Sequence, residues 1–175
     1  MAHPVRPDSY IEINNFYTAT VYQKGAEVVR MQANLLGPKV FRQATDLYFA
    51  RHDGQAVTTD DFVRCMEDAS GRDLSQFRRW YEQAGTPELH IQTSYDEATR
   101  TCSLIVRQHT EPTPGQPVKA PFHLPLAIGL LGPDGQDLPL RLAGETEPSA
   151  PGTRVLELHE TEGQVILNGS YNINF

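Results

Sequence analysis

Apolar residues recur at helical spacing through the first half of the chain and at alternate positions through the second. The pattern predicts helices followed by strands. Val21, Ala26, Val28, Val29, Met31 and Leu35 place a helix over residues 16–36, and Gly37-Pro38 stops it. A second helix is expected over residues 40–52, where Phe41, Ala44, Leu47, Tyr48 and Ala50 form a core stripe ended by Asp53-Gly54. Thr58-Thr59-Asp60-Asp61 reads as an N-cap with acidic first-turn residues, leading into Phe62, Val63 and Met66. A fourth helix is expected from Asp73, carrying Trp80 and Tyr81 and closed by Gly85-Thr86-Pro87.

After Pro87 the period becomes two. Leu89, Ile91 and Thr93 alternate with polar neighbours, as do Cys102, Leu104 and Val106, and then Phe122, Leu124, Leu126 and Ile128. Asp134-Gly135 is a hairpin signal between strands at 127–131 and 138–142. Residues 155–158 and 165–167 supply two more strands, and residues 111–121, with four prolines, read as a loop or linker-like crossing. The fold class expected is α+β in two units, a helical subdomain over residues 1–86 and a small antiparallel β-sandwich over 87–175.

Charge is divided unevenly. Residues 1–86 carry 10 Lys or Arg against 11 Asp or Glu, while residues 87–175 carry 5 against 11. The acidic second half argues against a nucleic-acid partner, which needs clustered cations. Arg78-Arg79, the adjacent basic pair, reads as the solvated edge of a helix. No run of about 18 apolar residues appears, so no membrane span is expected. Without an apolar signal core near Met1, the expected location is the cytoplasm. Cys65 and Cys102 are expected as free thiols packed as small hydrophobes.

Three segments carry a resemblance to a known family. Tyr22-Gln23-Lys24-Gly25-Ala26 follows Glu12-Ile13-Asn14-Asn15-Phe16-Tyr17 and His3-Pro4-Val5-Arg6-Pro7. Together they are similar to the stretch after the zinc site in the aminopeptidase N family, a gluzincin family whose signature tyrosine precedes x-Lys-Gly-Ala. His52-Asp53-Gly54, Thr59-Asp60-Asp61-Phe62 and residues 77–87 resemble the end of its thermolysin-like catalytic domain, and the strand half looks like the β-sandwich that follows. The resemblance implies a zinc aminopeptidase that removes N-terminal residues from peptides. It further implies that the N-terminal β domain, the zinc-bearing segment and the C-terminal helical domain lie outside this chain, which then starts at an internal methionine or is a cut piece.

By that resemblance Tyr22 is the hydroxyl donor to the oxyanion that develops in the transition state, and Tyr17 lines the substrate pocket. Gly25 is expected to allow close helix packing. Gln23 stands where many relatives have Glu, a position that ligates no metal. No His-Glu-x-x-His occurs, and the six histidines include no pair at i, i+4. His159-Glu160-Thr161-Glu162 lacks the second histidine of a zincin and falls between predicted strands. The chain is therefore expected to hold no zinc itself and to be inactive alone. The other reading is a non-enzymatic module whose apolar surfaces bind a protein partner.

Overall fold

A computed structural model describes residues 3–150 and 152–168. The expected residues 169–175 at the carboxy end lie outside it. The chain divides into two compact units: Met1–Thr86 with Thr110–His123, and Pro87–His109 with Leu124–Phe175. The first is helical and the second is built of antiparallel strands, as the change of period predicted.

In the helical unit a 3-10 turn, Ile13–Phe16, precedes a π-helical turn, Thr20–Lys24, which runs into α1, Gly25–His52. The first helix thus starts at Thr20 rather than Phe16. The reason is local: the Thr18 hydroxyl accepts the Val21 N–H at 3.2 Å, a side-chain cap that sets the entry of the chain. Gly37, with φ 75° and ψ 159°, breaks α1 where the sequence predicted an end, and Pro38 restarts it. The two expected helices therefore meet at a kink without an intervening loop.

α2 spans Thr59–Ser70 and is capped as expected, with Thr58 N–H donating to Asp61 Oδ2 at 2.8 Å. That bond, with a second from the Thr58 hydroxyl, holds the Asp61 carboxyl below the usual carboxylate range. Val63, Cys65 and Met66 are fully buried. α3 is only Arg79–Glu82, shorter than predicted. Asp73 Oδ1 takes the Ser75 N–H at 2.8 Å, and Arg79 N and Trp80 N bond back three residues to Gln76 and Phe77. These local bonds give tight turns in place of an early α-helix. They still bury Leu74, Phe77, Trp80 and Tyr81.

The proline-rich stretch is a built loop of this unit. Phe122 stacks on Trp80 with ring centroids 4.1 Å apart, and Trp80 Nε1 donates to the His123 carbonyl at 2.8 Å. Gln83 exchanges two bonds with the Ala120 backbone, both 3.0 Å. Arg78 grips Glu67 with two bonds of 2.7 and 2.8 Å, holding that carboxyl below its usual range.

Gly25 does not meet a steric need. A Cβ there would sit 3.5 Å from Val5 Cγ1, an ordinary contact, with helical φ −60°. Gly25→Ala is therefore expected to raise stability by up to about 1 kcal/mol, the cost of a glycine inside a helix. A urea midpoint that falls in this variant would show that the turn needs the glycine.

In the second unit β1 (Glu88–Asp96), β2 (Thr101–His109) and β7 (Glu162–Asn168) form one sheet in the order β1-β2-β7. β3 (Leu124–Ile128) pairs with β6 (Arg154–Leu158). β4 (Leu130–Leu131) pairs with β5 (Asp137–Leu138) across the predicted Asp134-Gly135 turn, where Gly135 has φ 77°. The strand expected over 138–142 shrinks to β5 and isolated bridge residues, among them Leu142, which pairs with Leu167. Cys102, Leu140 and Leu167 form the centre of the core, with Tyr95, Leu104 and Val165 packed on it. β1 lies at a sheet edge, and its alternating Leu89 and Ile91 are 39% and 55% exposed, so the face that the pattern marks as apolar is not buried. Cys65 and Cys102 are both buried free thiols. No helix among the described residues is long and apolar enough to cross a membrane.

One ion pair gives this unit an acid sensitivity. Arg154 holds Glu145 with two bonds of 2.8 Å, and Leu142 N–H adds a third at 2.9 Å. The Arg154 bonds first, and the Leu142 bond second, pull the Glu145 carboxyl down to about 2 from an ordinary 4.5. A depressed carboxylate stabilises the fold above its unfolded value. The contribution is thus present above pH 4.5 and lost as pH falls toward 2. Glu145→Gln is expected to flatten the stability–pH curve across that window; an unchanged slope would remove Glu145 from the account.

Candidate active site

The segment that carries the candidate residues is pinned at its start. Val5 is buried, Arg6 N–H bonds the Tyr81 carbonyl at 2.9 Å, and the Arg6 guanidinium reaches Asp60 at 2.6 Å and Glu82 at 2.9 Å. His3 continues the anchorage. Its Nδ1 lies 2.7 Å from the Pro4 carbonyl, which fixes that nitrogen as the donor and leaves Nε2 to accept the Thr18 hydroxyl at 2.9 Å. Thr18 Oγ1 in turn caps Val21, and the Thr18 carbonyl accepts the Tyr22 N–H at 3.0 Å.

Tyr22 therefore stands in the middle of the π turn. Such turns insert one extra residue into a helix and change where its side chains point. The Gly25 N–H closes the turn on the Thr20 carbonyl, five residues back. Tyr22 is 59% exposed and Tyr17 is 57% exposed, so neither is the half-buried core tyrosine that such a pattern otherwise supplies. Their rings lie 6.1 Å apart, tilted by 36°. Phe16 stands edge-on to Tyr17, and Tyr10 edge-on to Phe16, each at 6.0 Å. The structure thus brings the two predicted tyrosines together on one open aromatic surface.

The buried counterpart behaves differently. The Tyr81 hydroxyl faces Gln32 Oε1 at 3.3 Å, and burial pushes its phenol well above the ordinary range. Among the described residues the Tyr22 hydroxyl makes no hydrogen bond, which leaves it able to donate to something outside the chain.

Behind the turn lies Lys24, which the sequence marks only as part of x-Lys-Gly-Ala. Its ammonium bonds the Gly85 carbonyl and sits 5.8 Å from the centre of the Trp80 ring. Lys119 bonds the adjacent Ala84 carbonyl at 3.0 Å. Burial first, and the Lys119 charge second, lower the Lys24 pKa. Gly85 itself has φ 92°, and a Cβ there would meet Thr110 Cγ2 at 2.9 Å, so only glycine fits.

Around the π turn the polar groups include the phenols of Tyr17 and Tyr22, Thr20, Gln23, Lys24 and the Thr18–His3 pair, and both ring nitrogens of His3 are engaged. His159, from the motif that superficially resembles a zincin, ends up in the turn between β6 and β7 with Nε2 3.6 Å from Glu157 Oε2.

Comparison with known proteins decides the family. Residues 1–81 match the "Peptidase family M1 domain", and residues 85–172 match an Ig-like domain described as "Domain of unknown function (DUF3458)". The chain belongs to peptidase family M1. It is 48% identical over 171 residues to aminopeptidase N of Escherichia coli, covering 98% of this chain and 19% of that protein. Aminopeptidase N of Caulobacter vibrioides is 57% identical over 138 residues, 79% of this chain and 16% of that one. The M1 chain spans about a fifth of the length of these relatives. A crystal structure of Legionella pneumophila aminopeptidase A in complex with aspartic acid superposes with a TM-score of 0.78 at 24% identity, covering 98% of this chain and 18% of that one, which establishes a shared fold.

Proposed function

We propose that this chain is the part of a zinc-dependent aminopeptidase that supplies the oxyanion donor, Tyr22, and a pocket wall, Tyr17. The observation that carries the reading is the exposed, unengaged Tyr22 hydroxyl on a turn fixed from both ends, inside the stretch that matches the M1 peptidase domain. The substrate is a peptide with a free N-terminus. Zinc would be held by ligands on the part of the enzyme outside this chain and, when bound, would supply Lewis-acid polarisation of the scissile carbonyl.

What this chain does in the reaction follows from its own groups. Tyr22 Oη–H donates a hydrogen bond to the carbonyl oxygen as negative charge gathers there, and a fixed donor is worth most where that charge is greatest. Tyr17, tilted beside it, offers an apolar ring to the substrate side chain. In this reading residues 1–86 complete the catalytic domain and residues 87–175 form the domain after it. The enzyme works in the cytoplasm, a location that suits two buried thiols left unpaired.

The test uses the intact enzyme and the 175-residue chain side by side. The intact enzyme should release the reporter from an aminoacyl-anilide and lose that activity on chelation, whereas the chain alone should neither cleave it nor hold stoichiometric zinc. One tightly bound zinc per chain, abolished by replacing any of its histidines, would overturn the assignment of the ligands. An intact protein without chelator-sensitive peptidase activity would favour the non-enzymatic interaction module.

A further inference from the structure

Lys24 is half-buried, yet among the described residues no carboxylate pairs with it. Its partners are the Gly85 carbonyl and the face of Trp80, and its charged neighbour is another lysine. A cation so placed loses hydration without a counter-ion, an arrangement that costs stability unless the bond it makes has another use. The bond ties the last residue of the π turn to Gly85, three residues past the end of α3, in a segment that is itself held by side-chain bonds. Gly85 cannot become another residue, Ala84 N–H is held by Gln116 Oε1 at 2.8 Å, and the Ala84 carbonyl is held by Lys119.

The use lies in the turn. A π turn is the less stable form, and tightening it to α-helical winding shifts the chain before it by one residue, roughly 100° about the helix axis. Tyr22 lies two residues before Lys24, so such a slip would swing the hydroxyl away from its direction. Thr18 and His3 fix the other end of the same turn.

Resting on the reading of Tyr22 as the oxyanion donor, we propose that Lys24 is a positioning residue: by gripping the Gly85 carbonyl over Trp80 it holds the π turn Thr20–Lys24 in register and so fixes the Tyr22 hydroxyl. It touches neither substrate nor metal. A merely structural role would lower stability and zinc content without a selective loss of kcat through Tyr22.

The experiment is a double-mutant cycle in the intact zinc enzyme, with zinc content measured for every variant. Lys24→Met should lower kcat roughly 10-fold to 100-fold with KM changed less than about threefold, the scale of loss for a displaced catalytic group. In a Tyr22→Phe background the same change should cost almost nothing further, because there is no hydroxyl left to position. Lys24→Arg, which keeps a cation and donors, should recover most of the activity. Equal losses from Lys24→Met in both backgrounds, or a normal kcat in the Tyr22-containing enzyme, would overturn the proposal. Should the Met variant lose its zinc, Lys24→Gln replaces it with the same outcomes. If instead Tyr22→Phe alone keeps a normal kcat, the oxyanion reading fails first, and the role of Lys24 falls with it.

Discussion

Tyr22→Phe in the intact enzyme is expected to lower kcat roughly 100-fold to 1000-fold, or about 3 to 4 kcal/mol of transition-state stabilisation. The substitution removes one hydroxyl and almost no volume from a side chain that is already 59% exposed, so folding should be untouched. KM should move far less, because the ground-state carbonyl carries little of the charge that the hydroxyl meets. Steady-state kinetics with equal zinc content in both proteins reads the split. A Phe variant with near-normal kcat would make Tyr22 a surface aromatic and nothing more.

Trp80→Ala should have the largest effect on stability. Trp80 is 4% exposed, stacks on Phe122, which is itself fully buried, and donates to the His123 carbonyl. Truncation opens a cavity and strands that carbonyl, so a loss of about 3 to 5 kcal/mol is expected in urea unfolding. Trp80→Phe should recover part of it, since the ring returns without the donor. The loop Thr110–His123 should also exchange its amides faster in the Ala variant, because the stack is one of the bonds that builds it. A loss below about 1 kcal/mol would mean that the core closes over the gap.

The change from helices to strands was legible because it rests on hydrophobic period, and a period survives local detail. Thr58 and Asp61 announced α2 because capping uses specific residue types at fixed spacing. What misled was bonding that period does not record. Asp73 and Ser75 spend their polar groups on local turns, which shortens α3, and Thr18 moves the first helix start to Thr20. The prolines in residues 111–121 signalled a loop but not that Gln83 and Trp80 would build it onto the helical unit. Leu89 and Ile91 alternate as in any half-buried strand, yet β1 is an edge whose faces stay open.

Of the candidate site, Tyr22 and Tyr17 were readable through the family pattern around them, and composition alone would have passed them over. Their closeness depends on the π turn, which no residue pattern announces. Lys24 was visible as a letter of x-Lys-Gly-Ala, but its partner Gly85 lies 61 positions away and only the fold joins them.

Binding of a phosphinic pseudopeptide to the intact enzyme tests the central claim most directly, because its anionic tetrahedral oxygen stands where the oxyanion would form. If Tyr22 stabilises the transition state, Tyr22→Phe should weaken the inhibition constant in step with its loss of kcat/KM, by roughly 100-fold or more. An inhibition constant that stays unchanged while kcat/KM falls would contradict the account.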